Sequence, residues 1–191
     1  MMRLGIFGGS FNPIHFGHLL LAEAAREALT LDRVVFVPTH QPPHKRASHL
    51  LAGAVRLELV RLAIREQPAF VASDIELQRP GPSYSIETVK ILHRQLPQAK
   101  LFLLVGEDML AVRWVAWEEL KRLCTIVVAH RPGSKPARRQ AGVKRLEMPQ
   151  VSIASSDIRK RVKAGRSIRY LVPVSVERYI HEHHLYTGGE S

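Results

Sequence analysis

The residues best suited to chemistry lie in two short stretches. The first is Gly8-Gly9-Ser10-Phe11-Asn12-Pro13-Ile14-His15-Phe16-Gly17-His18. Glycines let an anion approach the backbone closely, exposed N–H groups at a helix start attract phosphate, and two histidines three residues apart can face one side of a helical turn. The stretch lacks the Gly-Lys-Ser/Thr of a Walker A loop and the Gly-x-Gly-x-x-Gly of dinucleotide folds. Taken alone, it reads either as a phosphate loop or as a tight turn with two surface histidines. The second stretch is Ile153-Ala154-Ser155-Ser156-Asp157-Ile158-Arg159. It predicts a serine-capped helix start whose N–H groups and hydroxyls can hold an anion, with Arg159 one turn inside as a fork-shaped donor. A plain helix cap with a solvated arginine is the competing reading. Cys124 falls within an apolar run and reads as core rather than as a nucleophile.

Positioning these stretches requires a scaffold, and the hydrophobic pattern supplies one. Residues 3 to 7 are an apolar run ended by Gly8-Gly9, as in a buried strand entering a tight turn; His18 to Leu29 follows as a helix with a wide apolar face. Val34-Val35-Phe36-Val37, halted by Pro38, predicts a second strand. After a Pro/His-rich loop (39 to 49), the alternation continues. Helices are expected near Ala54 to Glu66, Ile86 to Leu96 and Trp117 to Leu123, and strands near Phe70 to Ile75, Leu101 to Val105 and Thr125 to Ala129. Beyond residue 130 the pattern weakens, with a further strand at Val143 to Met148, a helix at Ser155 to Lys163, and a last helix opened by Pro173. Apolar strands alternating with helices predict an α/β, doubly wound parallel sheet, in which ligands bind beyond the carboxyl ends of the strands.

The 191 residues suit one domain, 1–191, with a small C-terminal helical part from about residue 155. A composition of 46% hydrophobic and 24% charged residues excludes disorder, collagen and coiled coil. One cysteine allows no internal disulfide, the start shows no apolar leader, and no stretch is long enough to span a membrane, so a cytoplasmic protein is expected. The formal net charge of +11 predicts an anionic partner. It is unevenly placed: residues 1 to 130 carry 15 basic and 12 acidic groups, 131 to 169 carry 12 and 2, and 170 to 191 carry 1 and 3. The excess therefore sits around the second phosphate stretch.

His15-Phe16-Gly17-His18 after a glycine-rich strand end resembles the H-x-G-H signature of the nucleotidyltransferase superfamily. Ile153 to Arg159 resembles that superfamily's second phosphate motif, I-S-S-T-x-I-R, with Ala154-Ser155-Ser156 replacing Ser-Ser-Thr at the loss of one hydroxyl. Further segments are similar, in order along the chain, to those of the bacterial nicotinate mononucleotide adenylyltransferases. They are Pro42-Pro43-His44-Lys45, Arg79 to Thr88, Gly106-Glu107-Asp108 with Trp117, Arg131-Pro132-Gly133, and Ser167 to Pro173. The resemblance implies a Rossmann-like nucleotidyltransferase fold. It also implies the joining of ATP, with Mg²⁺, to nicotinate mononucleotide to give nicotinate adenine dinucleotide and pyrophosphate, a late step of NAD synthesis, by direct in-line attack and without a covalent enzyme intermediate.

Carried over position by position, the resemblance makes His18 the principal donor to the α-phosphate and His15 its phosphate-binding partner. A helix start favours the neutral imidazole and a bound triphosphate the charged one, so these influences oppose. Gly8, Gly9, Ser10 and Phe11 line the ATP site, Ser155, Ser156 and Arg159 grip its outer phosphates, and Gly106 and Asp108 belong to the same site, Asp108 near the ribose or a metal-bound water. Lys45, with His44, meets the mononucleotide phosphate, Trp117 stacks on the pyridine ring, and Tyr84 and Ser85 bring backbone N–H groups to the nicotinate carboxylate. No protein metal ligand set is implied. The partners expected are ATP and nicotinate mononucleotide, with no nucleic acid and no membrane, and a homo-oligomer is compatible. A sister enzyme acting on nicotinamide mononucleotide or phosphopantetheine is the near alternative; paired N–H donors left unsatisfied by an amide separate the first of these. A basic nucleic-acid-binding module built on 131 to 169 is the distant one, and that stretch lacks an interleaved aromatic platform.

Overall fold

The computed structural model describes residues 1–42, 50–107, 114–129, 142–149 and 151–188. Six strands, β1 (Arg3–Gly9), β2 (Arg33–Pro38), β3 (Phe70–Ala72), β4 (Lys100–Gly106), β5 (Thr125–Ala129) and β6 (Val143–Leu146), form one sheet in the order β3-β2-β1-β4-β5-β6. Every neighbouring pair is parallel. Among the described residues six helices accompany them: α1 (Phe16–Ala28), α2 (Gly53–Ile64), α3 (Ser85–Gln95), α4 (Trp117–Leu123), α5 (Ser155–Lys163) and α6 (Val174–Glu182). This is the doubly wound parallel sheet expected from the alternation of apolar runs.

Why the strands read as unbroken apolar runs is plain from β4. Phe102 and Leu104 enter one core, while Leu101, Leu103 and Val105 enter another on the opposite face. A strand covered on both faces has no polar side, so period-two alternation disappears. The first core is closed by α1, α2, α5 and α6 through residues such as Ala22, Val60, Ile158 and Ile180; the second by α3 and α4 through Val89 and Leu120. The C-terminal helices thus share their core with β1 and β2.

The chain leaves β1 through α1 toward β2 on one side of the sheet, while β4 continues through α4 toward β5 on the other. The point of divergence, between β1 and β4, is where open sheets of this kind place their ligands.

Several element ends differ from expectation. β3 stops at Ala72 instead of Ile75, as the Ser73 N–H still bonds Phe36 O at 2.9 Å before a turn at Asp74 accepts the Leu77 N–H at 2.7 Å. α2 ends at Ile64, β6 at Leu146, and Pro173 is the residue flanking α6, one position earlier than the first helical turn. Cys124 lies at the C-terminal end of α4, just ahead of β5, and is buried. No helix among the described residues is long and apolar enough to cross a membrane.

Candidate active site

A cleft of about 150 Å³ opens at the divergence point, lined by Gly8, Gly9 and Ser10 after β1, Thr39 and Pro42 after β2, Leu103 to Gly106 of β4, Glu76, Ser83 to Ser85, and Trp114 and Val115. Gly8 is exposed, and a Cβ built on it meets nothing within 4 Å. Its hydrogen leaves the strand end open to a ligand. Phe11 has a φ of 44°, in the left-handed region that a bulky side chain rarely adopts. The ring repays this strain by full burial against Phe7, Phe36 and His18, so Phe11 can offer a ligand only its backbone.

The two histidines stand beside this loop, outside the residues lining the cleft. His15 flanks the start of α1 and is 1% exposed. His18, half-buried, stacks on it with ring centroids 3.7 Å apart and an interplanar angle of 25°. The His15 backbone N–H donates to His18 Nδ1 at 3.2 Å. A nitrogen that accepts carries no proton, so the neutral His18 ring has its hydrogen on Nε2, on the far side of the ring. Gly17 makes the stack possible, since a Cβ there would come within 3.1 Å of the His15 ring.

The second phosphate stretch is bonded directly to the first. Ser155 Oγ donates to Pro13 O at 2.9 Å, and Arg159 Nη1 donates to Asn12 O at 2.7 Å. Residues more than 140 positions apart in sequence therefore meet at the start of α1. This changes the expectation of a serine cap: the residue flanking α5 is Ala154, which makes no side-chain cap, and the Ser155 hydroxyl is committed to the neighbouring loop. The Ser155 and Ser156 N–H groups remain at the helix start, and Ser156 is exposed. Asn12 is also held through its side chain, whose Oδ1 accepts from Tyr186 Oη at 2.9 Å and from the Leu51 N–H at 3.4 Å.

Two buried charged residues that sequence reasoning passed over complete the surroundings. Arg56 is 1% exposed and donates to three backbone carbonyls: Leu51 O at 2.8 Å, Ser10 O at 2.8 Å and Thr39 O at 2.7 Å. It ties the loop after β1 to the loop after β2. Burial pulls its guanidinium below the ordinary arginine value, opposed by Tyr186 and Glu76. Glu76, 5% exposed, lies in the cleft lining and accepts from Thr88 Oγ1 at 2.6 Å. Burial pushes its carboxyl above the usual range, opposed by hydrogen bonds from Thr88 and Ser83 and by the charges of Arg79 and Arg56. A signal for Arg56 exists in the sequence: it stands four and eight residues before Val60 and Ile64, on the buried stripe of α2. A charge on an apolar stripe needs internal partners.

The remaining predicted site residues divide as follows. Gly106, Tyr84 and Ser85 line the cleft, Tyr84 flanking α3 and Ser85 beginning it. Their position brings the unladdered N–H groups of the first turn of α3 to the cleft. Trp117, the first residue of α4, does not line the cleft; it packs against the core shared by α3 and α4 and lies 5.6 Å from the Trp114 ring, which does line it. His44, Lys45 and Asp108 lie outside the described residues, as do Arg131 to Gly133, Arg138 and Arg139. Tyr170 is 81% exposed beside Arg169, while its neighbour Leu171 accepts from the Phe16 N–H at 3.0 Å at the start of α1.

Comparison with known proteins adds to the geometry. The family described as cytidylyltransferase-like matches residues 6–161. A Thermus thermophilus protein named "Probable nicotinate-nucleotide adenylyltransferase" is 46% identical over 97% of this chain and 100% of its own length. One of the same name from Symbiobacterium thermophilum is 43% identical over 100% of this chain and 98% of its own. Among solved structures, the Plasmodium falciparum nicotinic acid mononucleotide adenylyltransferase complexed with NaAD superposes with a TM-score of 0.82 at 18% identity, over 97% of this chain and 98% of that one. It shares the fold. Full-length likeness to the bacterial relatives decides the family, and the chain belongs to the nicotinate-nucleotide adenylyltransferases of the cytidylyltransferase-like family.

Proposed function

We propose that this chain joins ATP and nicotinate mononucleotide, releasing pyrophosphate and forming nicotinate adenine dinucleotide. One observation carries the reading: the hydrogen bonds from Ser155 and Arg159 to Pro13 and Asn12 bring both phosphate stretches together beside the cleft at the β1/β4 divergence. The relatives' shared name and the NaAD-bound neighbour support the same pair of substrates.

In this reading the mononucleotide phosphate oxygen attacks the ATP α-phosphorus as the bond to the β-phosphate oxygen breaks, and pyrophosphate departs in line. Little covalent work falls to the protein, so positioning and prearranged donors dominate. His18 contributes its Nε2–H to the α-phosphate, the orientation being set by the His15 N–H on Nδ1. His15 stacks behind it and restricts its ring. Ser156, the first N–H groups of α5 and the remaining donors of Arg159 take the charge gathering on pyrophosphate. Gly8, Gly9, Ser10 and the Phe11 backbone, with Gly106 across the cleft, receive the adenosine part; Asp108 joins them at the ribose. Lys45 and His44 meet the mononucleotide phosphate, and Tyr84 and Ser85 receive the nicotinate carboxylate. The ring-stacking role assigned to Trp117 is shared with Trp114, the tryptophan that lines the cleft.

Mg²⁺ enters as part of the ATP substrate, a hard cation usually held by substrate phosphates with one or two carboxylates. Among the described residues no group of three or more His, Cys, Asp or Glu could hold a metal. We further place the reaction in the cytoplasm, in keeping with a single unpaired cysteine.

The test is pyrophosphate release by the purified protein with ATP and either nicotinate or nicotinamide mononucleotide. A strong preference for the acid is expected. Equal release from both would remove the carboxylate reading, and release with phosphopantetheine alone would remove the substrate assignment.

A further inference from the structure

Glu76 occupies an unusual place for an acid, buried in the lining of a cleft proposed to receive a carboxylate. Its hydrogen-bond partners explain the placement. Thr88 Oγ1 accepts from Arg79 Nη2 at 3.0 Å, which leaves its own proton to go to Glu76 at 2.6 Å. Ser83 Oγ accepts from the His40 N–H at 3.0 Å and the Gln41 N–H at 3.4 Å; with both acceptor positions taken it can only donate, and its hydroxyl holds the Glu76 carboxyl lower than burial alone would. Two hydroxyls that can only donate require a partner that only accepts. An ionised carboxylate fits, whereas a glutamine would turn an NH₂ toward one of them.

The two hydroxyls bracket the segment of interest. Ser83 immediately precedes Tyr84 and Ser85, and Thr88 lies one turn further along α3. Held at Thr88 by the Glu76 carboxylate and at Ser83 by the His40 and Gln41 N–H groups, the Tyr84–Ser85 backbone keeps its N–H groups at one place in the cleft. We propose that Glu76 is a positioning residue for substrate choice, clamping the start of α3 so that its N–H groups match the two oxygens of a carboxylate and disfavour an amide. This rests on the assignment of nicotinate mononucleotide as the second substrate. Arg79, and after it Arg56, which is tied to the loop carbonyls on the ATP side, offset the charge of Glu76, so the clamp carries no uncompensated negative charge against the incoming acid.

The experiment compares kcat/KM for nicotinate and nicotinamide mononucleotides, together with KM for ATP, in wild type, Glu76→Gln, Thr88→Val and Thr88→Ser. Thr88→Val removes one anchor while leaving the carboxylate, and keeps the test available if Glu76→Gln folds poorly. The acid:amide ratio should fall roughly 10- to 100-fold in Glu76→Gln and Thr88→Val, the worth of one hydrogen bond to a charged group. Thr88→Ser, which keeps the hydroxyl, should restore most of it, and KM for ATP should stay within about twofold. Variants that lose both mononucleotides in parallel, or that keep the wild-type ratio, would overturn the role of Glu76 alone. A wild-type protein without acid preference would overturn the substrate reading, and this inference with it.

Discussion

Arg56→Met is the perturbation whose size is easiest to work out from the structure. Methionine matches the apolar stem of arginine but lacks the guanidinium and cannot donate, so the carbonyls of Leu51, Ser10 and Thr39 lose their shared partner. A buried acceptor left unsatisfied costs about 1–3 kcal/mol, and three would cost roughly 3–9 kcal/mol. Two terms reduce this. The folded state no longer buries a guanidinium, a penalty of several kcal/mol visible as the lowering of its pKa by burial. Ser10 and Thr39 line the cleft, where water can replace part of what is lost. The net expectation is a destabilisation of about 2–4 kcal/mol, or a fall in Tm of roughly 5–15 °C for a chain of this size. Because Arg56 joins the loops after β1 and β2, KM for ATP should rise together with the loss of stability. Arg56→Lys, which can still reach one or two carbonyls with three donors, should lose less of both. Urea unfolding and steady-state kinetics on the three proteins decide the matter. An Arg56→Met protein with wild-type urea midpoint and wild-type KM for ATP would refute the reasoning that one buried cation sets the geometry of both loops.

Other predictions follow from the same structure. Gly8→Ala adds a methyl group into open space, so stability should stay within about 0.5–1 kcal/mol of wild type while KM for ATP rises severalfold; a large loss of stability with unchanged KM would contradict the placement of Gly8 at the ligand. The Cys124 thiol is buried and pushed up to about 12, so iodoacetamide at pH 9 should label it only after unfolding, and fast labelling of folded protein would count against its burial. Burial raises the Tyr186 phenol above its ordinary value, with Arg159 and Arg56 opposing. The unfolded chain therefore gives up this proton first, and stability should decline as pH climbs above about 10; Tyr186→Phe should flatten that part of the profile, and an unchanged slope in the variant would contradict it.

How much of this was readable in the sequence depends on whether the physics is local. Strands such as Leu101 to Val105 and helices such as His18 to Leu29 announce themselves because burial on two faces, or on one stripe, leaves a pattern in neighbouring residues. Alternation with helices predicts a parallel, doubly wound sheet but not its strand order, since such sheets occur in more than one order; the order, and with it the divergence point between β1 and β4, comes from the structure. Element ends were less legible: β3 gives way to the turn in which Asp74 O accepts the Leu77 N–H, although β2 runs two residues past Phe36. Least legible were contacts to backbone carbonyls. Ser155 was expected to cap its own helix because serine at a helix start usually does, but Pro13 O stood within reach. A carbonyl has the same chemistry in every residue, so no residue type marks the acceptors of Arg56, Arg159 or Ser155. Glu76 was hidden for a related reason, since its partners are ordinary hydroxyls whose protons are directed by third groups. Trp114 and Trp117, three residues apart, could not be ranked by spacing; the turn through Ala116, with φ of 54°, determines which of them lines the cleft.

The central claim is that His18, oriented by the His15 backbone, supplies the donor that stabilises the adenylyl transfer. Its most direct test is the turnover of His18→Ala, with folding checked by circular dichroism and thermal unfolding, in pyrophosphate release from ATP and nicotinate mononucleotide. The account predicts a folded protein at least about a hundredfold slower in kcat. A folded His18→Ala protein that turns over at close to the wild-type rate would contradict it.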